Sequence, residues 1–260
     1  MIKPKVVFIG AGPGDPDLIT VKGKKELDLA DVVVYAGSLV NRNLLADLKE
    51  GVECHDSASL TLDETIDIMV PAAQAGKKVV RLHTGDPSLY GAIQEQMAAL
   101  REQNVDYEVI PGVTAAFAAA ASIRQELTLP GVSQTVILTR IEGRTPVPER
   151  EKLSKIAAIG ATTCLYLSVG MMEKVVAELL AGAFKPETPV AVVSRASWVD
   201  EMIVEGTLAD IAEKVGAAGL TRQALIIVGE SLAARTAGVK EKSKLYDASF
   251  AHGYRAEKEK

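Results

Sequence analysis

The 260-residue chain carries 29 lysines and arginines against 34 aspartates and glutamates. The net charge of −5 and an aromatic content of only 4% argue against a nucleic-acid binder, which stacks bases on aromatic rings and carries a basic surplus. Hydrophobic content of 48% supplies one large core or two of ordinary size, yet the longest apolar stretch, Val113–Ile123, is short of the ~20 residues that span a bilayer.

Cys54 and Cys164 make no disulfide framework or C-x-x-C pair and read as inert residues in apolar surroundings. His55, His83 and His252 are scattered without zinc-type spacing, so no metal is expected. The chain enters a strand within a few residues, which predicts no signal peptide, no membrane partner and a cytoplasmic setting.

In chain order, Val6-Val7-Phe8-Ile9 reads as a buried strand that runs into Gly10, Gly12, Pro13, Gly14 and Asp15. Thr20–Ala30 reads as a helix, Val32–Tyr35 as a strand and Asn41–Leu48 as a short helix. Thr61 with Glu64 forms a capping box ahead of a helix to about Ala75, which Pro71 is expected to bend or break. Lys78–Leu82 is the next strand; the loop His83–Tyr90 and a helix to about Arg101 follow it. Tyr107–Ile110 ends in Pro111-Gly112-Val113-Thr114 and an alanine-rich helix. Leu127–Ser133, with Pro130-Gly131, reads as a boundary. Beyond it come strands at Thr135–Thr139, Thr162–Leu167, Pro189–Ser194, Glu201–Glu205 and Ala224–Val228, with helices over Met171–Leu180 and Thr207–Val215. The expected organisation is two α/β domains in series, residues 1–128 and 129–240, with a cleft between them and a polar tail over 241–260.

The first glycine loop is not a dinucleotide fingerprint. G-x-G-x-x-G starting at Gly10 needs its third glycine at position 15, which is Asp15, and Pro13 removes an amide that a phosphate would use. No G-K-[S/T] follows, so a Walker loop is also excluded. Three loops follow three strands of the first domain: Gly10–Asp17, His83–Gly91 and Pro111–Ala115. Loops at the ends of neighbouring parallel strands share one edge of a sheet and converge on one ligand. They offer backbone groups, the hydroxyls of Thr84, Ser88 and Thr114, and the carboxylates of Asp15 and Asp86. That lining suits a neutral or cationic polar ligand, with chemistry that depends on placement more than on a side-chain nucleophile. His83 beside Asp86 reads as a structural hydrogen-bonding residue or a base. Arg42, Arg140, Arg144 and Arg195 follow strand ends or sit in loops, as surface charges or as receivers of an anionic substrate. A nucleotide-dependent oxidoreductase and a non-catalytic binding protein remain open as alternatives.

VVFIGAGPGDPDLIT, GDPSLYG, VIPGVTA, PVAVVSRAS and ALIIVGE together resemble the tetrapyrrole methylase family over nearly the whole chain. The resemblance implies two unequal α/β domains, an S-adenosyl-L-methionine cofactor, an anionic tetrapyrrole substrate and a homodimer. Within the family, YAGSLV, GDPSLYGAIQEQM and the tail SKLYDASFAHGYR are similar to the branch that methylates C-11 of precorrin-4, with or without cobalt, on the way to vitamin B12. The uroporphyrinogen methylases usually carry a GGDPF loop where this chain has Thr84-Gly85-Asp86-Pro87-Ser88. By the same resemblance the cofactor contacts fall on Pro13, on Thr84, Gly85, Asp86 and Leu89, and on Thr114 and Ala115, with Asp86 as polar anchor. In the second domain they fall near Leu167 and at Ala196, where relatives often have methionine and glycine; an alanine at 196 requires backbone without positive φ.

Overall fold

The structure, a computed structural model, describes residues 4–234 and, beyond them, 238, 243, 244, 250, 251, 253 and 254. Most of the 241–260 tail, including most of SKLYDASFAHGYR and His252, lies outside the described residues. The chain packs as two units. One comprises the residues up to Ala118 together with Ala196–Val199; the other runs from Ala119 to Arg195 and resumes at Asp200.

The first unit is a five-stranded sheet in the order β3-β2-β4-β1-β5, built from β1 (Lys5–Gly10), β2 (Val32–Tyr35), β3 (Glu53–Asp56), β4 (Val79–His83) and β5 (Asp106–Ile110). All four pairings are parallel. A parallel sheet is covered on both faces, which explains why its central strands are continuous apolar runs. Alternate residues of β1 serve the two faces. Val6 and Phe8 pack with α3 (Leu62–Gln74) and α4 (Ile93–Glu102) through Met69, Val70, Met97 and Leu100. Val7 and Ile9 pack on the other face with Leu27 of α1 (Val21–Asp28), and with Leu44 of the short α2 (Asn43–Ala46). Thr20 caps α1 by accepting from the Gly23 amide, and the Thr61–Glu64 capping box opens α3 as expected.

Pro71 does not break α3, which continues to Gln74. Pro71 and Asp67, one turn before it, both face solvent, so the carbonyl left without a helical donor is on the wet side. Cys54 also departs from its reading: it is exposed on the edge strand β3, whereas Cys164 is buried and its thiol is pushed up to about 12 by burial. The strand β3 was itself unread, because Glu53, His55 and Asp56 give an edge strand no apolar pattern.

The second unit is a mixed sheet, β6-β7-β10-β8-β9, formed by β6 (Val136–Arg140), β7 (Thr162–Tyr166), β8 (Pro189–Ser194), β9 (Met202–Thr207) and β10 (Ala224–Val228). β6 and β7 are parallel; β10 runs against both β7 and β8, and β9 runs against β8. One face packs Leu165, Val190, Val192, Ile226 and Val228 against α6 (Leu153–Ala157), α7 (Met172–Leu180) and α8 (Ile211–Ala217). α8 starts later than expected. Thr207 ends β9, and its amide donates to the Asp210 carboxylate at 2.8 Å, with Asp210 at the helix N-cap. The Leu129–Ser133 turn, closed by reciprocal backbone bonds of 2.7 and 3.0 Å, lies in this second unit. The α5 helix (Ala115–Ser122) spans the point of division.

Candidate functional site

The strand order determines where a ligand can sit in the first unit. β1 leaves toward β2 and β4 leaves toward β5, so the two adjacent strands send their connections in opposite directions. Their carboxyl ends form the crevice in which open α/β sheets bind ligands. The three glycine-rich loops are joined there. The Ala11 amide donates to the His83 carbonyl at 2.7 Å, and Gly12 and Gly85 exchange backbone bonds of 3.3 and 2.8 Å. The third loop closes on the second through Asp86. One Asp86 oxygen accepts from the Ser88 amide at 2.8 Å and the other from the Gly112 amide at 2.9 Å. Asp86 is thus a staple between two loops, a role that the expectation of a cofactor anchor did not include.

Glycine is required where these loops meet. A Cβ on Gly112 would stand 2.1 Å from the Gly85 carbonyl oxygen, and one on Gly10 would stand 2.6 Å from the Gly112 Cα. Within the second loop, the hydroxyl of Thr84 is buried with no hydrogen-bond partner within the protein. Thr114 and Ala115 start α5 beside Gly85, whose Cβ position would be 3.8 Å from the Thr114 Cα and 3.9 Å from the Ala115 amide nitrogen. Leu89, half-buried, follows in the same tight turn, where Tyr90 and Ala92 adopt positive φ of 56° and 48°. The structure therefore brings Pro13, Thr84, Gly85, Asp86, Leu89, Thr114 and Ala115 onto the three joined loops.

His83 is the last residue of β4 and not a loop residue. Its ring stacks on Phe8 with centroids 5.9 Å apart, and its Nε2 is buried without a partner. Burial, with the charge of Arg81 added, pushes the imidazole down to about 3, so it is neutral at any physiological pH. Arg81, two residues earlier on the same face, is buried too. Its Nε donates to Gln96 Oε1 at 3.0 Å and its Nη1 to the Val34 carbonyl at 3.2 Å, and burial pushes its guanidinium down to about 10.

In the second unit, β6, β7 and β8 point the same way, because β10 opposes both β7 and β8. The residues after their carboxyl ends, Arg140 to Arg144, Leu167, and Arg195 with Ala196, follow strands that end on one edge of that sheet. Leu167 and Arg195 hold positive φ of 53° and 49°, uncommon for side chains of this size, and Leu167 is 71% exposed. Ala196 itself is not at positive φ, which meets the condition for alanine there. The four arginines differ in what they do. Arg140 donates to the carbonyls of Ile141, Thr145 and Pro146, at 3.3, 3.1 and 2.8 Å, and so shapes its own loop. Arg195 pairs with Asp200 at 2.7 Å. Arg42 and Arg144 are exposed, Arg42 in the first unit and Arg144 in the second.

Three groups went unread in the sequence: Asn41, whose side chain donates to the Gly14 carbonyl at 2.8 Å; Trp198, whose indole donates to the Pro13 carbonyl at 2.9 Å; and Ser197, whose hydroxyl accepts from the Asp15 amide at 3.0 Å. The only available signal was that the chain's single tryptophan lies two residues after Ala196.

Residues 5–212 match the family model of the Tetrapyrrole (Corrin/Porphyrin) Methylases. The chain belongs to that family. It is 58% identical over 251 residues to a cobalt-precorrin-4 C(11)-methyltransferase of Methanocaldococcus jannaschii, covering 96% of each chain. Its fold is similar to the solved structure of a cobalt-precorrin-4 methyltransferase, a cobalamin biosynthetic enzyme, with a TM-score of 0.86, 50% identity and coverage of 88% and 95%. It is also similar to the uroporphyrin-III C-methyltransferase of Thermus thermophilus, solved in complex with S-adenosylhomocysteine, with a TM-score of 0.74, 31% identity and coverage of 88% and 93%.

Proposed function

We propose that this protein is an S-adenosyl-L-methionine-dependent methyltransferase that methylates C-11 of precorrin-4, or of its cobalt complex, in cobalamin biosynthesis. The observation that carries this reading is the joined set of three loops at the carboxyl ends of β4, β1 and β5, one of which carries the buried Thr84 hydroxyl without an internal partner. A buried hydroxyl without a partner costs about 1–3 kcal/mol, so a ligand that supplies one binds with that advantage. The high identity to a relative named for this activity, across nearly its whole length, supports the choice of substrate.

When bound, S-adenosylmethionine supplies an electrophilic methyl group on a sulfonium sulfur. The work of the protein is then orientation. Loops of glycine and proline, joined to one another by backbone bonds and by the Asp86 side chain, hold their amides and carbonyls in fixed directions, and such fixation is worth orders of magnitude in effective molarity. Pro13, Thr84, Gly85, Asp86, Leu89, Thr114 and Ala115 hold the cofactor in this reading, and Leu167 and Ala196 are the further contacts that the family resemblance implies. The tetrapyrrole's carboxylates are received by arginines, with Arg42 and Arg144 assigned the direct contacts and Arg140 and Arg195 the shaping of the loops that carry them. The protein acts as a cytoplasmic homodimer and engages neither nucleic acid nor membrane. The negative net charge supports the part of this reading that leaves out nucleic acid.

Calorimetric titration with S-adenosylhomocysteine, with NAD and GTP as controls, tests the cofactor. Selective binding of the sulfur compound is expected; no binding by folded, ligand-free protein would overturn the reading. A methyl-transfer assay with precorrin-4 and cobalt-precorrin-4 side by side then decides the substrate.

A further inference from the structure

The first glycine loop is held from outside by a segment more than 180 residues away in the chain. Ala196–Val199 packs with the first unit, although Arg195 before it and Asp200 after it pack with the second. From this segment Trp198 Nε1 donates to the Pro13 carbonyl at 2.9 Å, and Ser197 Oγ accepts from the Asp15 amide at 3.0 Å. The indole lies directly against Gly14: a Cβ there would stand 2.1 Å from both Cδ1 and Nε1 of Trp198. Asn41 takes the remaining carbonyl, that of Gly14, at 2.8 Å. The Pro13 carbonyl, the Gly14 carbonyl and the Asp15 amide are thus each bound by a side chain from elsewhere in the chain.

The segment keeps a backbone that its residues do not favour. Ser197 is at φ 70° and Arg195 at φ 49°, with the Arg195–Asp200 ion pair bridging the two ends of the excursion. Positive φ in non-glycine residues persists only where the surroundings over-determine it, and such strain gathers at ligand clamps. Apart from the Asp15 carboxylate, which accepts from the Asp17 amide at 2.9 Å, the Pro13–Asp15 stretch offers a ligand only its backbone, so its shape matters for binding.

We propose that Ser197 and Trp198 are positioning residues for cofactor binding, which hold Pro13–Asp15 in the shape that receives S-adenosylmethionine. The inference rests on the cofactor assignment made above. It adds an element that acts through the loop: the strap fixes the loop, and the loop meets the ligand.

The test compares the parent protein with Trp198→Phe, Ser197→Ala, Gly14→Ala and the double variant Gly14→Ala/Trp198→Ala. Dissociation constants for S-adenosylhomocysteine come from calorimetry, unfolding midpoints from ligand-free protein, and kcat and KM from methyl transfer. Trp198→Phe, which removes the indole donor and keeps an aromatic ring, is expected to weaken S-adenosylhomocysteine binding by roughly three- to tenfold. The loss falls on KM for the cofactor and not on kcat at saturation, because the loop shape and not the reacting atoms is altered. Gly14→Ala weakens binding as well, and Trp198→Ala in the same chain recovers part of that loss by removing the clash. Because Trp198 is the sole tryptophan, its emission in the parent shifts as S-adenosylhomocysteine binds. Binding within twofold of the parent by both Trp198→Phe and Ser197→Ala sinks the strap while leaving the cofactor assignment intact. Failure of the parent itself to bind overturns the assignment and the strap with it. If Trp198→Phe does not fold, Ser197→Ala and the Gly14 pair decide the matter by the same criteria.

Discussion

In the first sheet every strand points the same way; in the second, β9 and β10 run against β6, β7 and β8. The first arrangement puts all five carboxyl ends on one edge, and three of the loops there bond to each other through Gly12–Gly85 and Asp86–Gly112. The second divides its strand ends between two edges, and its candidate arginines keep to local partners: Arg140 holds its own loop and Arg195 pairs with Asp200, while a bond from the Ile141 amide to Ser168 Oγ at 3.0 Å ties the loops after β6 and β7. A parallel sheet builds a rigid backbone cradle as a by-product of its topology. A mixed sheet leaves fewer neighbouring ends to join, and its loops offer side chains. The first suits a ligand held by backbone groups, the second a larger ligand recognised by charge.

The same substitution made in the two units tests this contrast. Gly112→Ala forces a Cβ to within 2.1 Å of the Gly85 carbonyl oxygen, where the neighbour is backbone and cannot rotate away. A loss of about 3 kcal/mol in chemical denaturation is expected, with S-adenosylhomocysteine binding abolished. A stability loss below ~1 kcal/mol would show that the loops are not locked together.

Next in size is Asp86→Ala, which removes the acceptor for both the Ser88 and Gly112 amides. About 2 kcal/mol of stability should go, and cofactor affinity with it. Asp86→Asn retains one oxygen acceptor and is expected to fall between. Normal cofactor binding by Asp86→Ala would show that the staple is dispensable.

His83 gives an effect of similar size that depends on pH. Its folded pKa, near 3, lies below the ordinary value of 6.5, so between these values the unfolded chain binds a proton that the folded chain does not. Stability is therefore lost as pH falls through that window. Going from pH 7 to 4.5, the parent should lose ~2 kcal/mol more than His83→Gln does, as read by urea midpoints at the two pH values. Parallel pH profiles for the two proteins would refute the buried neutral imidazole.

The smallest change is in the opposite direction. Gly216 lies in α8 with nothing within 4 Å of its Cβ position and no positive φ. Gly216→Ala should raise stability by about 0.5–1 kcal/mol through helix propensity, with cofactor binding untouched. Alanine thus damages one unit and steadies the other, which a thermal melt of each variant will show.

Much of the fold was legible because its signals are local. The runs Val32–Tyr35, Pro189–Ser194 and Ala224–Val228 match their strands residue for residue, since continuous burial leaves a continuous apolar pattern. The Thr61–Glu64 box was read correctly because both partners lie within one turn. Glu53–Asp56 escaped because an edge strand needs no apolar face, and the helix runs through Pro71 without a break because a proline on the wet side leaves the orphaned carbonyl to water. The helix expected over Thr207–Val215 starts later because pairing with Pro189 claims Thr207 for β9, which leaves Asp210 at the N-cap.

By itself, the sequence determined the alternation of strands and helices, the three glycine-rich loops, the rejection of a phosphate site at Asp15 and the resemblance to tetrapyrrole methylases. Only the tertiary structure decided that Asp86 grips Gly112 across 26 residues, that Trp198 lies on Gly14, bonded to Pro13 across 185, and that His83 is buried at a strand end. Periodicity, capping and turn chemistry act within a few residues and so leave a trace in the order of amino acids. Contacts between distant residues depend on strand order and on the crossovers that set it, and these follow from how whole faces pack.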